Sequence, residues 1–386
     1  MHTENLFSKQ YPELDLIRTL AITMILMQHY YDVILKGTFG LLPGFLPNIL
    51  AKGWHGVDLF FALSGFLIGG QIIEGCYNGT FRFNVFFLKR FFRIVPAYIF
   101  AIVVFIIFYS YVSDSFLLND PTVLKDVIIH ILYLQDYIHT EYVMYDGIYW
   151  SLAVEEKFYL VLPLIIFLVL KYRRKTSLIF VLLALLITGI SIRLITFDST
   201  KDFWSSYLVP FHNRFDNLLF GVLAAFLFIY LKGIFSKKLK YAVMLISILS
   251  LGFVFAFGNT ASNYFSVGWQ FTFSGLGFAA LILAFIAFNI GDIPYLKSIA
   301  SSVARYSYTM YLYHYLVLGI TQAFLKGYLK QWGVSPVSVM AVFGIFFMVV
   351  YSSSVVLYYL IEWPFMNIRK RILKKKTLIP NASLAV

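Results

Sequence analysis

Cysteine occurs once in this chain, at Cys76, which excludes an internal disulfide framework and leaves any cysteine-based metal site short of ligands. Charged residues are almost as scarce, 13% of 386 against roughly a quarter in soluble domains, so a water-soluble fold is excluded as well. No stretch repeats with a period of about 20 to 50 residues, which argues against a solenoid and against an inverted-repeat transporter. No His-Glu-x-x-His string occurs, and His130, His139 and His212 lack the spacing that would bring two ligands to one helix face, so no metal is expected. Polar residues precede Tyr11, and the first apolar stretch carries Arg18 and His29. The N-terminus therefore lacks the short apolar core and small-residue cleavage site of a signal peptide.

What the chain has in abundance is apolar surface: 60% of its residues are hydrophobic and its mean hydropathy is +0.79. Stretches able to cross roughly 30 Å of hydrocarbon are expected at 14–35, 55–75, 94–112, 148–170, 177–196, 208–230, 241–258, 267–290, 305–325 and 338–361. The pattern predicts an all-α integral membrane protein, a bundle of about ten transmembrane helices in one domain over residues 1–376, with a short cytoplasmic tail at 377–386. The net charge of +12 is explained by topology, and the expected partner is a lipid bilayer and not nucleic acid. With the N-terminus inside, twenty of the 31 Lys and Arg residues fall in cytoplasmic segments, six in outer segments and five within spans. That bias places both termini in the cytoplasm. The longest outer segment, 113–147, contains VLKDVIIHILYL, too short to span, and an interfacial or re-entrant helix is expected there. Oligomeric state leaves no trace in the sequence.

Ionisable groups in hydrocarbon cost from about 2.5 kcal/mol upward, so those within spans need a function or a partner. Arg18 and His29 are eleven residues apart, three helical turns plus about 20°, and share one face of the first helix. The rise of roughly 16 Å puts Arg18 near the cytoplasmic surface and His29 near mid-bilayer. Asp15 and Asp32 stand three residues from Arg18 and His29 and could pair with them. The structural alternative is that Arg18 reaches lipid phosphates and His29 bonds another helix. Lys89, Arg90 and Arg93 cluster at the cytoplasmic mouth of the third helix, where guanidinium forks suit phosphates, although positive-inside bias alone also produces such clusters.

Read as motifs in chain order, ELDLIRTLAITMILMQHYYD, GVDLFFALSGFLI, Arg90-x-x-Arg93, YWSLAVEEKFYLVLPL, RFDNLLFGVLAA, RYSYTMYLYHYLVL and IEWPF resemble the successive blocks of the acyltransferase 3 family of membrane proteins. The resemblance runs from about residue 15 to 371 and implies a ten-helix domain that passes an acyl group, usually acetyl, from cytosolic acyl-CoA to a carbohydrate or other hydroxyl acceptor. It implies that His29 is the essential first-helix histidine, Arg18 its basic partner, Arg90 and Arg93 the pair that holds CoA phosphates, with Lys89 beside them, and Glu155 the acidic position of its block. Acceptors in the family include surface polysaccharides, peptidoglycan, lipid-linked oligosaccharides, glucans and small natural products. Some members add an extracellular esterase-type domain, whereas this sequence ends in a basic tail, so the stand-alone form is expected, in a bacterial inner or plasma membrane.

Acyl transfer from a thioester to a hydroxyl needs a base, a donor for the developing oxyanion and exclusion of water. The expected assignment is His29 as general base, oriented by Asp32 or Glu155, or else as the site of an acyl-histidine intermediate. Glu155 and Glu156 lie 100° apart on one helix, so only one can face a given cavity, and Glu155 is preferred. Candidate acceptor-binding residues are Asp58, Trp150, Ser151, Arg214, Tyr311 and His314. Asp58 is equally suited to a helix N-terminus, and the stripe Ser307, Tyr308, Tyr311 and His314 could equally join helices. The rival reading is a carbohydrate or lipid-linked sugar transporter, which leaves Arg18-x10-His29 with Arg90-x-x-Arg93 unexplained.

Overall fold

The computed structural model describes residues 6–36, 45–112, 121–138, 143–172, 177–258 and 263–378. Among them there is no strand, as expected where lipid offers backbone groups no partner and each segment must satisfy its own. The long helices are α1 (Pro12–Tyr30), α2 (His55–Tyr77), α3 (Phe83–Val112), α4 (Val143–Tyr172), α5 (Ser177–Ile195), α6 (Phe215–Tyr230), α7 (Lys237–Phe257), α8 (Gln270–Phe288), α9 (Pro294–Trp332) and α10 (Pro336–Leu357). Each expected span but 208–230 falls on one of them. Prolines open α1, α9 and α10, where a missing N–H costs nothing, and Ser335 adds a capping box to α10.

Among the described residues, α2, α3, α5, α7, α8 and the stretch Pro336–Lys374 are long and apolar enough to cross a membrane. α1 falls short because Glu13, Asp15 and Arg18 interrupt it, and α4 because it carries Glu155, Glu156 and Lys157. α2 and α8 are the interior helices, with 78% and 72% of their apolar windows buried, whereas α5 and α7 bury only 28% and 22% and turn Phe180, Ile187, Ile248 and Leu249 outward. An apolar exterior of this extent suits lipid contact.

One expected span is corrected in detail. The span expected at 208–230 is not one helix: a short π turn ends at Leu208, Pro210 breaks the chain, and α6 begins only at Phe215. Within the 113–147 segment the helix covers Pro121–Ile131, and residues 113–120 and 139–142 lie outside the described residues, as do Arg173, Arg174 and Lys175.

The glycine of the SGFL string has a packing reason. A Cβ on Gly65 would stand 1.9 Å from the Leu218 carbonyl oxygen of α6, and one on Gly221 would stand 2.0 Å from that of Ala62, so α2 and α6 cross backbone to backbone. Gly65→Val is expected to cost upward of about 3 kcal/mol by overpacking and to remove the monodisperse peak in size-exclusion chromatography. Gly252→Val, with nothing within 4 Å of its Cβ, is expected to leave that peak intact.

Candidate active site

Five helices, α1, α2, α3, α4 and α9, enclose a cavity of about 300 Å³. Arg18 of α1 and Arg90 and Arg93 of α3 line it, so three guanidinium groups from two helices converge where the sequence separates them by some seventy positions. Arg18 holds Asp15 at 3.3 Å, and the Arg90 guanidinium lies 5.5 Å over the Tyr159 ring. Ser151, Glu155 and Tyr159 follow at intervals of four along α4 and therefore share one face, which lines the same cavity. Tyr159 hydrogen-bonds Ser64 of α2, and both hydroxyls approach the Glu155 carboxylate. Glu156 is not among the lining residues, and Lys89 is exposed beyond the cavity, its carbonyl accepting from Arg369 at 3.5 Å.

A second cavity of about 230 Å³ lies farther along α1 and is lined by Gln28, His29, Asp32, Trp54, Trp150 and Trp204. The two cavities share Ile25, Val57 and Tyr311 as lining residues, so they adjoin. Arg18, Ile25 and His29 run along one face of α1 from the first to the second, the stripe read in the sequence. Tyr311 is fixed at the partition: its hydroxyl lies 2.6 Å from Ser151 Oγ and also donates to the Ile148 carbonyl. Of the α9 stripe, Ser307, Tyr308 and Tyr311 face the arginine cavity.

The surroundings of His29 differ from those expected. Its ring meets His314 at 5.0 Å between centroids and Tyr315 at 4.7 Å, edge on. His314 Nδ1 lies 2.7 Å from the Tyr311 carbonyl, which can only accept, so that nitrogen carries a proton, and Nε2 is buried with no protein partner. His29 Nδ1 is likewise buried without a partner. Asp32 does not bond the imidazole: the backbone passes into a π turn over Tyr31–Lys36, and the carboxylate instead accepts from Gln28 Nε2 at 2.5 Å. Such turns recur at functional sites because they re-aim side chains. Glu155 sits in the other cavity, so neither carboxylate named as the orienting group is bonded to His29.

Asp58 and Arg214 line neither cavity. They form a fully buried ion pair, with His55 Nδ1 at 2.8 Å from the other Asp58 oxygen. The Arg214 guanidinium lies 4.2 Å over Phe271 and 5.6 Å over Trp150. Arg193 and Asp216 make a second buried pair at 2.7 Å. Lys157 of α4 pairs with Asp136, beyond the Pro121–Ile131 helix. Lys157, Arg193 and Arg214 are thus neutralised locally, whereas Arg90 and Arg93 line the first cavity beside Arg18.

Sequence reasoning did not name Gln28, Ser64, Trp54, Tyr159, Trp204 or Tyr315 as site residues. Tyr159 was legible as the position four beyond Glu155. Trp204 was not, because it reaches the site from an irregular segment between α5 and α6.

Helices of this number and apolarity, with a cation-lined cavity leading into a histidine-bearing one, define a multi-pass membrane protein with an enzyme-like interior. The chain belongs to the acyltransferase 3 family, whose acyltransferase domain matches residues 11–359. It is 28% identical over 364 residues to the O-acetyltransferase OatA of Staphylococcus aureus strain NCTC 8325 / PS 47, covering 87% of this chain and 54% of that protein. It is 26% identical over 340 residues to the putative O-acetyltransferase SACOL0978 of strain COL, covering 81% and 51%. The chain spans about half the length of these relatives. No solved structure matches it.

Proposed function

We propose that the protein is a membrane O-acyltransferase that moves an acyl group, acetyl foremost, from cytosolic acyl-CoA to a hydroxyl of a cell-surface or lipid-linked carbohydrate. The observation that carries this reading is the adjoining pair of cavities, one lined by three arginines and the other by His29. Guanidinium forks bind phosphates by charge-assisted, bidentate hydrogen bonds, so the arginine cavity suits a CoA donor entering from the cytoplasmic side. The acyl end then points past Ile25, Val57 and Tyr311 toward His29.

The reaction needs one proton carrier. His29 takes the proton of the acceptor hydroxyl, the alcohol oxygen attacks the thioester carbonyl carbon, and the tetrahedral oxyanion collapses with cleavage of the carbon–sulfur bond. The imidazolium returns the proton to the departing thiolate, leaving ester and free CoA. Tyr311, held between the two cavities by the Ile148 carbonyl and Ser151, frames the passage that the acyl group takes. His314, packed against His29, positions the ring in place of the expected carboxylate. Ten crossings with both termini in the cytoplasm of a bacterial cell bring the donor and acceptor sides of this path to opposite faces of the membrane.

Inverted membrane vesicles given radiolabelled acetyl-CoA test the proposal: label is expected in carbohydrate, whereas a sugar transporter transfers none. Arg90→Ala with Arg93→Ala is expected to raise the KM for acetyl-CoA about tenfold to a hundredfold. An unchanged KM in that double variant would remove the arginine pair from the donor site.

A further inference from the structure

Three of the six tryptophans in the chain, Trp54, Trp150 and Trp204, line the His29 cavity, the first two buried and Trp204 at its edge. We infer that the His29 cavity is a specificity pocket for a single uncharged sugar ring, gripped by these three indoles. This deepens the proposed function and rests on it for the identity of the reacting hydroxyl. A pyranose has apolar C–H faces and a rim of hydroxyls, and flat indoles cover such faces while leaving the rim free to hydrogen-bond. Gln28, Asp32 and His29 supply the polar rim of the same cavity.

Charge decides which sugars fit. Among the described residues no Lys or Arg lines this cavity and Asp32 is its one carboxylate, in contrast to the three arginines of the neighbouring space. An acidic ring would bring its carboxylate against Asp32, while Lys36, the cation that faces Asp32, is exposed outside the lining, a penalty that excludes uronates at the reacting position. Size points the same way: about 230 Å³ lies below the roughly 300–1,000 Å³ of pockets for larger ligands, so one ring enters and the rest of a chain stays outside. The walls are held from behind, Trp54 by stacking on His55 at 3.6 Å and Trp150 by the Arg214 cation at 5.6 Å. Trp204, 40% exposed, closes the rim.

The test uses the full chain in lipid nanodiscs and saturation-transfer NMR with methyl glucoside, methyl N-acetylglucosaminide and methyl glucuronide as probes. Transfer is expected to the ring protons of at least one neutral glycoside and not to the glucuronide. Trp204→Ala is expected to weaken the neutral glycoside about tenfold, Trp204→Phe to restore most of the binding, and CoA binding to stay unchanged in both. Glucuronide binding equal to that of the neutral probes, wild-type affinity in Trp204→Ala, or no binding of any probe would each overturn the inference. Neutral-glycoside binding in a protein that transfers no acetyl group would sink the enzyme reading and leave the pocket standing.

Discussion

His29→Ala is expected to lower acetyl transfer by about 10²- to 10⁴-fold while leaving membrane insertion and CoA affinity at wild-type levels. The imidazole lies outside the arginine cavity, so its removal takes the base and none of the phosphate contacts. The ring is half-buried and its neighbours His314 and Tyr315 keep their own main-chain packing, so truncation leaves a small cavity and an intact fold. Radiolabel transfer and CoA binding, measured on one preparation, separate the two effects. Retained transfer in His29→Ala would exclude the histidine as base and as acyl carrier alike. His314→Phe is a milder change: it keeps a ring against His29 and should reduce kcat with little change in KM, the behaviour of a positioning residue.

The second large effect concerns stability. Asp58→Ala strands the fully buried Arg214 cation, and loss of one partner of such a pair costs about 3–5 kcal/mol. Of its other neighbours Asp216 is held by Arg193, and Phe271, Phe61 and Trp150 offer ring surfaces that attract the guanidinium weakly beside a carboxylate. The variant should lose thermal stability in detergent by fluorescence-monitored melting. Asp58→Leu combined with Arg214→Met, which removes both charges, should recover most of the loss, because an apolar pair of similar volume incurs no desolvation penalty. A stable single variant, or a double variant no better than the single, would show that the pair does not hold α2 to α6.

The fold was legible in the sequence to the extent that apolar length and proline placement encode it. Every expected span but 208–230 lies on a long helix, since in hydrocarbon an apolar segment has little alternative to helix. The misjudged span, 208–230, failed because Pro210 sits inside an apolar run, and hydropathy averaging hides a single backbone break.

The site was legible where helical periodicity reports it: Arg18 with His29, Ser151 with Glu155, and Ser307 with Tyr311 share faces as counted along the chain. Contacts between helices were not. Nothing local to Asp32 indicates that a π turn will hand it to Gln28, nor does any spacing bring His314 of α9 to His29 of α1. Asp58 and Arg214, both read as acceptor-binding, turn out to face each other, because a buried charge from one block found its counter-ion in another.

The central claim is that a CoA donor threads from the three arginines to His29 through the partition at Ile25, Val57 and Tyr311. Electron cryomicroscopy of the protein with a non-hydrolysable acetyl-CoA analogue tests it most directly. The expected result is phosphate density between Arg18, Arg90 and Arg93 with the acyl carbon in the His29 cavity. Phosphates bound elsewhere, or an acyl group directed away from His29 toward lipid, would contradict it.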